Sequence, residues 1–305
     1  MSTERSGNDS KLEQLVSYSI VNSDTLYRNL FYFTAICIVL ISLAPFYYLF
    51  VIALTPSSRT TDAGIVPAGF DPSSFIEMFQ VVPLHRFVFN SLVIAVMVTM
   101  IVLVFASLAG YVFGRMDFRG KPILFIGILV LSYFPGATFI VGLFRLLTGN
   151  ISVLGISSPD LFGTPGVVAL PLTTLTLPIA ILLLTTFYSQ IPDGLEDAAR
   201  VTGSTRIGSL YRIIAPLSAP GLVTAGILTF ITAYNEFFFS QLLTTGAAAD
   251  WSPIVWGLSN YQTQVSVRYD LMAAASLFAI LPIALLVLVA QKKIVSGLSG
   301  GTLRG

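Results

Sequence analysis

The sequence predicts an all-α polytopic membrane protein with six transmembrane helices, and three observations predict it. Hydrophobic residues make up 55% of the 305 residues and charged residues only 10%, where a soluble domain carries roughly 25% charged residues. The mean hydropathy is +0.84, and the apolar residues fall into long uncharged runs separated by short polar segments, as the bilayer demands. Finally, the basic residues gather on alternate connecting segments, as they do when a chain crosses a membrane repeatedly.

The spans are expected at 30–54, 88–113, 122–147, 167–188, 219–243 and 270–290, each near the ~20 residues that a helix rising 1.5 Å per residue needs to cross. Residues 1–29 form a polar amino-terminal segment, in which Leu12, Leu15, Val16 and Ile20 recur at helical spacing. An amphipathic helix on the membrane surface and a weakly ordered leader both fit that pattern. The first apolar run is too long for a signal-peptide core, so the amino terminus is expected to be retained. Pro171, Pro178 and Pro282 predict kinks in the fourth and sixth spans. Three domain segments follow: 1–29; the bundle 30–290, interrupted by a long loop at 189–218; and a tail at 291–305.

An even number of spans puts both termini on one side. That side would carry Arg5, Lys11 and Arg28; Arg115, Arg119 and Lys121; Arg200, Arg206 and Arg212; and Lys292, Lys293 and Arg304. Only Arg59, Arg86, Arg145 and Arg268 lie opposite. The positive-inside rule therefore predicts cytoplasmic termini in a prokaryotic cell membrane. A net charge of +1 offers no field for nucleic acid. The single cysteine, Cys37, lies in an apolar run and has no intrachain partner.

Two inner loops contrast. Gly114–Lys121 is a tight basic hairpin. Ser189–Ser218 is about thirty residues long with balanced charges, longer than a connector requires. Pro192 and Asp193 suit a helix start, with acidic residues in the first turn. Leu195, Ala198, Ala199 and Thr202 share a small apolar face. Gly203 and Ser204 interrupt the helix, and a second stretch places Ile207, Leu210 and Ile214 on one side before Pro216 and Pro220. An apolar face left uncovered at the membrane boundary points to a protein partner.

At this point the loop resembles a known motif. Permeases of ATP-binding cassette (ABC) importers carry Glu-Ala-Ala, three residues, Gly, nine residues, then Ile-x-Leu-Pro. Here Asp197-Ala198-Ala199, Gly203 and Ile213-Ile214-Ala215-Pro216 keep every spacing, with Asp197 for Glu and Ala215 for Leu. Asn90-Ser91-Leu92, Arg115–Gly120, Tyr234-Asn235-Glu236-Phe237 and the tail Lys293–Gly305 resemble the carbohydrate-uptake branch, in particular the second permease of maltose- and trehalose-type systems. Tyr234 stands where Trp is usual, and Thr202 where Asp often precedes the glycine.

The resemblance implies a type I ABC importer permease fold and a heterotetramer. Its partners would be a second permease subunit, two ATP-binding cassette ATPase subunits and an extracytoplasmic solute-binding protein, all in membrane lipid. It implies an ATPase-docking site at Leu195, Glu196, Asp197, Ala198, Ala199, Gly203, Ile213 and Pro216. It also implies an ATPase-contacting tail at Ser296, Gly297, Leu298 and Gly300, although a disordered tail fits the glycine content as well. No GxxxxGK[ST] motif occurs, so no cofactor is expected on this chain, with ATP and Mg on the partner subunits. No nucleophile–base pair or metal cluster points to an enzyme.

Glu236 is the one carboxylate well inside a predicted span, where a charge costs about 2.5–3.5 kcal/mol at mid-helix on insertion scales. Tyr234, Asn235 and Glu236 are candidates for the translocation path; alternatively, Glu236 sits near enough to the outer end for water to reach it. Ala106, Gly110 and Gly114 at four-residue spacing predict close helix packing, within the chain or against the partner permease. Pro135-Gly136 would kink or hinge the third span. His85 beside Arg86 has no other ligand nearby to make a metal site. Three functions remain open: a sugar permease; an ABC permease for a polyol, glycerol phosphate or another polar solute; and an ATP-independent carrier using Glu236.

Overall fold

The computed structural model describes residues 23–133, 136–201, 203–262 and 267–299. The described residues are mostly helical. The amino-terminal residues Leu12, Leu15, Val16 and Ile20, together with Pro135, Thr202 and Gly300, lie outside them.

Helix α1 (Ser23–Ala53) begins seven residues before the predicted span. A polar connection holding one 3-10 turn (Ser57–Asp62) leads to the short α2 (Ser74–Val81) and then α3 (Leu84–Arg115), the second span. The third predicted span, 122–147, is not one helix. Helix α4 (Lys121–Ser132) ends just before Pro135, a 3-10 turn follows at Gly136–Phe139, and α5 (Ile140–Leu147) completes it. Proline supplies no N–H and restricts the residue before it, so an uninterrupted helix could not pass through position 135 without losing a hydrogen bond. Between α5 and α6 stands a two-stranded hairpin, Ser152–Val153 against Ile156–Ser157, turned by Leu154 and Gly155 at positive φ.

Helix α6 (Gly166–Ser189) carries Pro171 and Pro178 through the middle of the bundle. The long loop then folds as α7 (Asp193–Val201), α8 (Arg206–Ser209), a π-helical turn (Leu210–Ile214) and the single turn α9 (Ala215–Leu217). The predicted fifth span, 219–243, is divided: α10 (Ala219–Tyr234) stops, and α11 (Phe238–Leu243) starts after a break. Helix α12 (Ile254–Ser259) precedes α13 (Tyr269–Ser299), which runs nine residues beyond the predicted end. Residues 291–299 of the expected tail are thus helical.

Four of these helices, α1, α3, α6 and α13, are individually long and apolar enough to cross a bilayer. A fifth span is possible if α10 counts together with the Arg206–Leu217 stretch, which meets it at 83°. The chain is therefore a multi-pass membrane protein.

Helices α3, α6 and α10 pack together at the centre, with α13 lying on α10 and α1. Gly110 and Gly114 make the α3–α6 contact possible. A Cβ at Gly110 would lie 3.0 Å from the Cβ of Leu184, and one at Gly114 would lie 3.1 Å from the carbonyl of Thr185. The small-residue stripe thus serves packing within the chain, the first of the two uses expected. Hydroxyls inside the helices, including Thr99, Thr173, Thr176 and Thr224, donate to carbonyls four residues back, so these four donors stay satisfied in an apolar medium.

Candidate functional site

The loop between α6 and α10 builds its own shape from local chemistry. Helix α7 ends because Gly203 takes φ +90, a left-handed conformation that glycine adopts without a Cβ penalty. The N–H of Gly203 donates to Arg200 at 3.0 Å and that of Ser204 to Ala199 at 3.0 Å, closing a glycine C-cap. Thr205 then caps α8, its Oγ1 accepting from the N–H of Gly208 at 3.1 Å.

The outward face of α7 is real. Leu195 is 46% exposed, and Asp197, Ala198, Val201 and Gly203 are exposed with it, while Ala199 is half-buried. Ile207 and Tyr211 extend the exposed apolar surface onto the next turn. Leu210 and Ile214, expected beside Ile207, are instead fully buried: the π turn swings them into the bundle core. Ile213 is half-buried and Pro216 exposed.

Glu196, expected on the docking face, points the other way. Its side chain is 11% exposed. One carboxylate oxygen accepts from the hydroxyl of Tyr111, and the other accepts from Nε of Arg115 at 3.1 Å. Arg115, 4% exposed, also donates from Nη1 to the carbonyl of Ile191 at 2.6 Å and pairs with Asp193 at 2.9 Å. The last turn of α3 therefore holds the first turn of α7 by charge-assisted bonds, which are stronger than neutral ones. In the sequence Arg115 is visible as a basic residue of a hairpin and as the first residue of the Arg115–Gly120 resemblance, neither of which points to Glu196, and Tyr111 carries no signal. A carboxylate one position before the motif's Asp197 was the available signal, because a helix turns that neighbour to a different face.

Within the bundle the three path candidates separate. Tyr234 is buried, and its hydroxyl donates to the carbonyl of Ala279 at 2.8 Å, so it joins α10 to α13. Asn235 is exposed, with its amide on the carbonyl of Ile231 at 3.1 Å. Glu236 is 7% exposed, and its carboxylate accepts from the backbone N–H groups of Phe239 and Ser240. It caps α11, supplying the acceptors and negative charge that a helix start attracts.

At the opposite end of α3, Asn90 donates from Nδ2 to the carbonyls of Ala248 at 2.8 Å and Ser252 at 3.0 Å. Ser91 Oγ accepts from the N–H of Ile254 at 2.8 Å. The Asn90-Ser91 pair thus fixes the connection between α11 and α12. Nearby, Arg268 grips Glu77 through two bonds of 3.1 Å and Asp270 at 2.8 Å. Donating to those carboxylates, Asp270 first, raises the pKa of the guanidinium. His85 borders a shallow cavity with Arg86, Phe89 and Trp251. Among the described residues, no group of three or more His, Cys, Asp or Glu could hold a metal.

Comparison with solved structures gives the fold. A chain of a bacterial ABC transporter involved in the import of the acidic polysaccharide alginate superposes with a TM-score of 0.70 at 18% identity, over 89% of this chain and 97% of that one. The fold is that of an ABC transporter permease. No family model matches the chain, but curated relatives do. It is 33% identical to the sulfoquinovosyl glycerol transport system permease protein SmoH of Agrobacterium fabrum, over 76% of this chain and 78% of that one. It is 32% identical to the trehalose/maltose transport system permease protein MalG of Thermococcus litoralis, over 93% and 100%. It is also 32% identical to the trehalose transport system permease protein SugB of Mycobacterium tuberculosis, over 87% and 93%. The chain belongs to the MalG-like branch of ABC transport system permeases, and it is a transport subunit, not an enzyme.

Proposed function

We propose that this chain is the second permease of an ABC sugar importer and forms half of a translocation path for a mono-, di- or oligosaccharide. Sugar systems recur among its relatives: trehalose/maltose, trehalose and arabinooligosaccharide permeases are all at or above 28% identity. A second permease, two ATPase subunits and an extracytoplasmic solute-binding protein complete the machine, with ATP and Mg held by the ATPase subunits. Six crossings place both termini in the cytoplasm.

The observation that carries the proposal is the exposed apolar face of α7 beside the left-handed turn at Gly203. Leu195, Ala198 and Ala199 seat in a cleft of one ATPase subunit, with Asp197 at the rim, and Gly203 sets the angle at which α8 leaves. Ile213 and Pro216 direct the chain from this surface into α10. Closure of the ATPase dimer then turns the bundle as a rigid body. Ser296, Gly297 and Leu298, on the last turns of α13, and Gly300 beyond them reach the same subunits. In the path, Asn235 is the candidate whose side chain is exposed; Tyr234 and Glu236 support it from behind.

Gly203→Asp tests the docking surface. The variant is expected in the membrane at normal levels, without uptake and without co-purifying ATPase subunits. Normal uptake would sink the docking role. The cargo is tested separately, by titrating the cognate solute-binding protein with a panel of mono- and disaccharides.

A further inference from the structure

We infer that Arg115 and Glu196 are positioning residues that lock the docking helix α7 to the spanning helix α3, so that the two move as a single lever. The inference rests on the docking role proposed above and assigns the route by which motion leaves that surface. Covalently, α7 follows α6 through the irregular residues Gln190–Pro192, and a connector of that kind transmits little torque. The physical link runs elsewhere. Arg115 lies at the end of α3 with its side chain 4% exposed, and it touches the connector and the helix together: the carbonyl of Ile191 at 2.6 Å, Asp193 at 2.9 Å and Glu196 at 3.1 Å. Tyr111, one turn back on α3, holds the second oxygen of Glu196.

Both carboxylate oxygens and two guanidinium nitrogens are therefore committed within one cluster. The Arg115–Glu196 pair is nearly dry, so screening and side-chain freedom do not loosen it as they would an exposed pair. These contacts fall on the first turn of α7 and on the connector just before it. The last turn, with Gly203 beyond it, is left to the partner. Because α3 packs along both α6 and α10, a displacement of α7 reaches the centre of the bundle through α3 first. The segment that can yield is on the far side of the docking surface, where the π turn Leu210–Ile214 and the 83° bend at Ser218 separate α8 from α10.

The test uses the assembled transporter in proteoliposomes with its ATPase subunits and solute-binding protein. Spin labels are placed at Arg200→Cys on α7 and Val104→Cys on α3, both exposed, in a Cys37→Ser background. The wild-type cluster is expected to give one narrow distance distribution that keeps its width when ATP binds. Arg115→Gln is expected to broaden it and to lower solute moved per ATP hydrolysed about three- to tenfold, with the ATPase subunits still bound. Arg115→Lys should restore part of the ratio, because a point charge can pair with Glu196 but cannot fork to Ile191 as well. Should Arg115→Gln fail to assemble, Tyr111→Phe removes a single bond and should shift both readouts in the same direction. An unchanged width and an unchanged transport ratio would overturn the lock. So would loss of ATPase subunits from an otherwise folded Arg115→Gln chain, which would place Arg115 in the docking contact itself. Failure of the unmodified chain to retain ATPase subunits would instead refute the docking role.

Discussion

Glu236 and Gly203 have their roles set by local geometry. The carboxylate of Glu236 faces two backbone N–H groups of α11, so Glu236→Ala leaves buried donors without acceptors. A stability loss of about 1–2 kcal/mol is expected, read as a lower melting temperature in detergent, while Glu236→Gln, which keeps an acceptor, should lose less. Equal losses in both would show that the cap contributes little. At Gly203 an added Cβ would meet nothing within 4 Å, yet φ is +90. Gly203→Ala should therefore cost about 1–2 kcal/mol from backbone strain alone, seen as a modest melting shift with docking retained, in contrast to Gly203→Asp. The glycine and its spacing from Asp197 were legible in the sequence. The inward turn of Glu196 was not, because its partners Tyr111 and Arg115 lie more than eighty residues away. The same distance problem hid the bonds of Asn90, whose acceptors are contributed by residues 248 and 252.

Glycines of one helix type play opposite parts in different elements. Gly110 on α3 lies against Leu184 and the backbone of Thr185, whereas Gly127 on α4 and Gly142 on α5 would meet nothing within 4 Å. Gly110→Val should force α3 and α6 apart and destabilise by about 1–3 kcal/mol. Gly127→Ala and Gly142→Ala should be neutral or raise stability by up to about 1 kcal/mol through helix propensity. Thermal unfolding followed by fluorescence-detected size exclusion separates these outcomes, and a neutral Gly110→Val would refute the close α3–α6 contact. The stripe Ala106-Gly110-Gly114 was readable as a packing surface because its period matches the helix. The end of α4 at Ser132 and the break at residues 235–237 were harder to read. A run of apolar residues satisfies the bilayer whether the helix beneath it is whole or divided, and only the hydrogen bonds tell which. The burial of Leu210 and Ile214 was concealed for a related reason: the π turn changes the period on which a face is drawn.

Across the whole molecule, length decides whether the divided segments can still cross. Helices α4 and α5 hold 12 and 8 residues, with a four-residue 3-10 turn between them. End to end they reach about 38 Å, more than the ~30 Å hydrocarbon core. Helices α10 and α11, with 16 and 6 residues, together reach about 33 Å on the same rise per residue. Both divided segments are thus long enough to span, and the basic residues are distributed as six crossings require. Impermeant maleimide labelling in the Cys37→Ser background tests this directly. Asp117 has a fully exposed side chain at one end of the divided third segment, and Leu154, 98% exposed, lies beyond the other. If α4 and α5 cross together, Leu154→Cys should label in intact cells, while Asp117→Cys labels only in inverted vesicles. Ser6→Cys and Thr302→Cys should behave like Asp117→Cys. Labelling of Asp117→Cys and Leu154→Cys from the same face would make the third segment a re-entrant loop. Both termini could then no longer share the face that carries the docking helix, because the number of crossings would be odd.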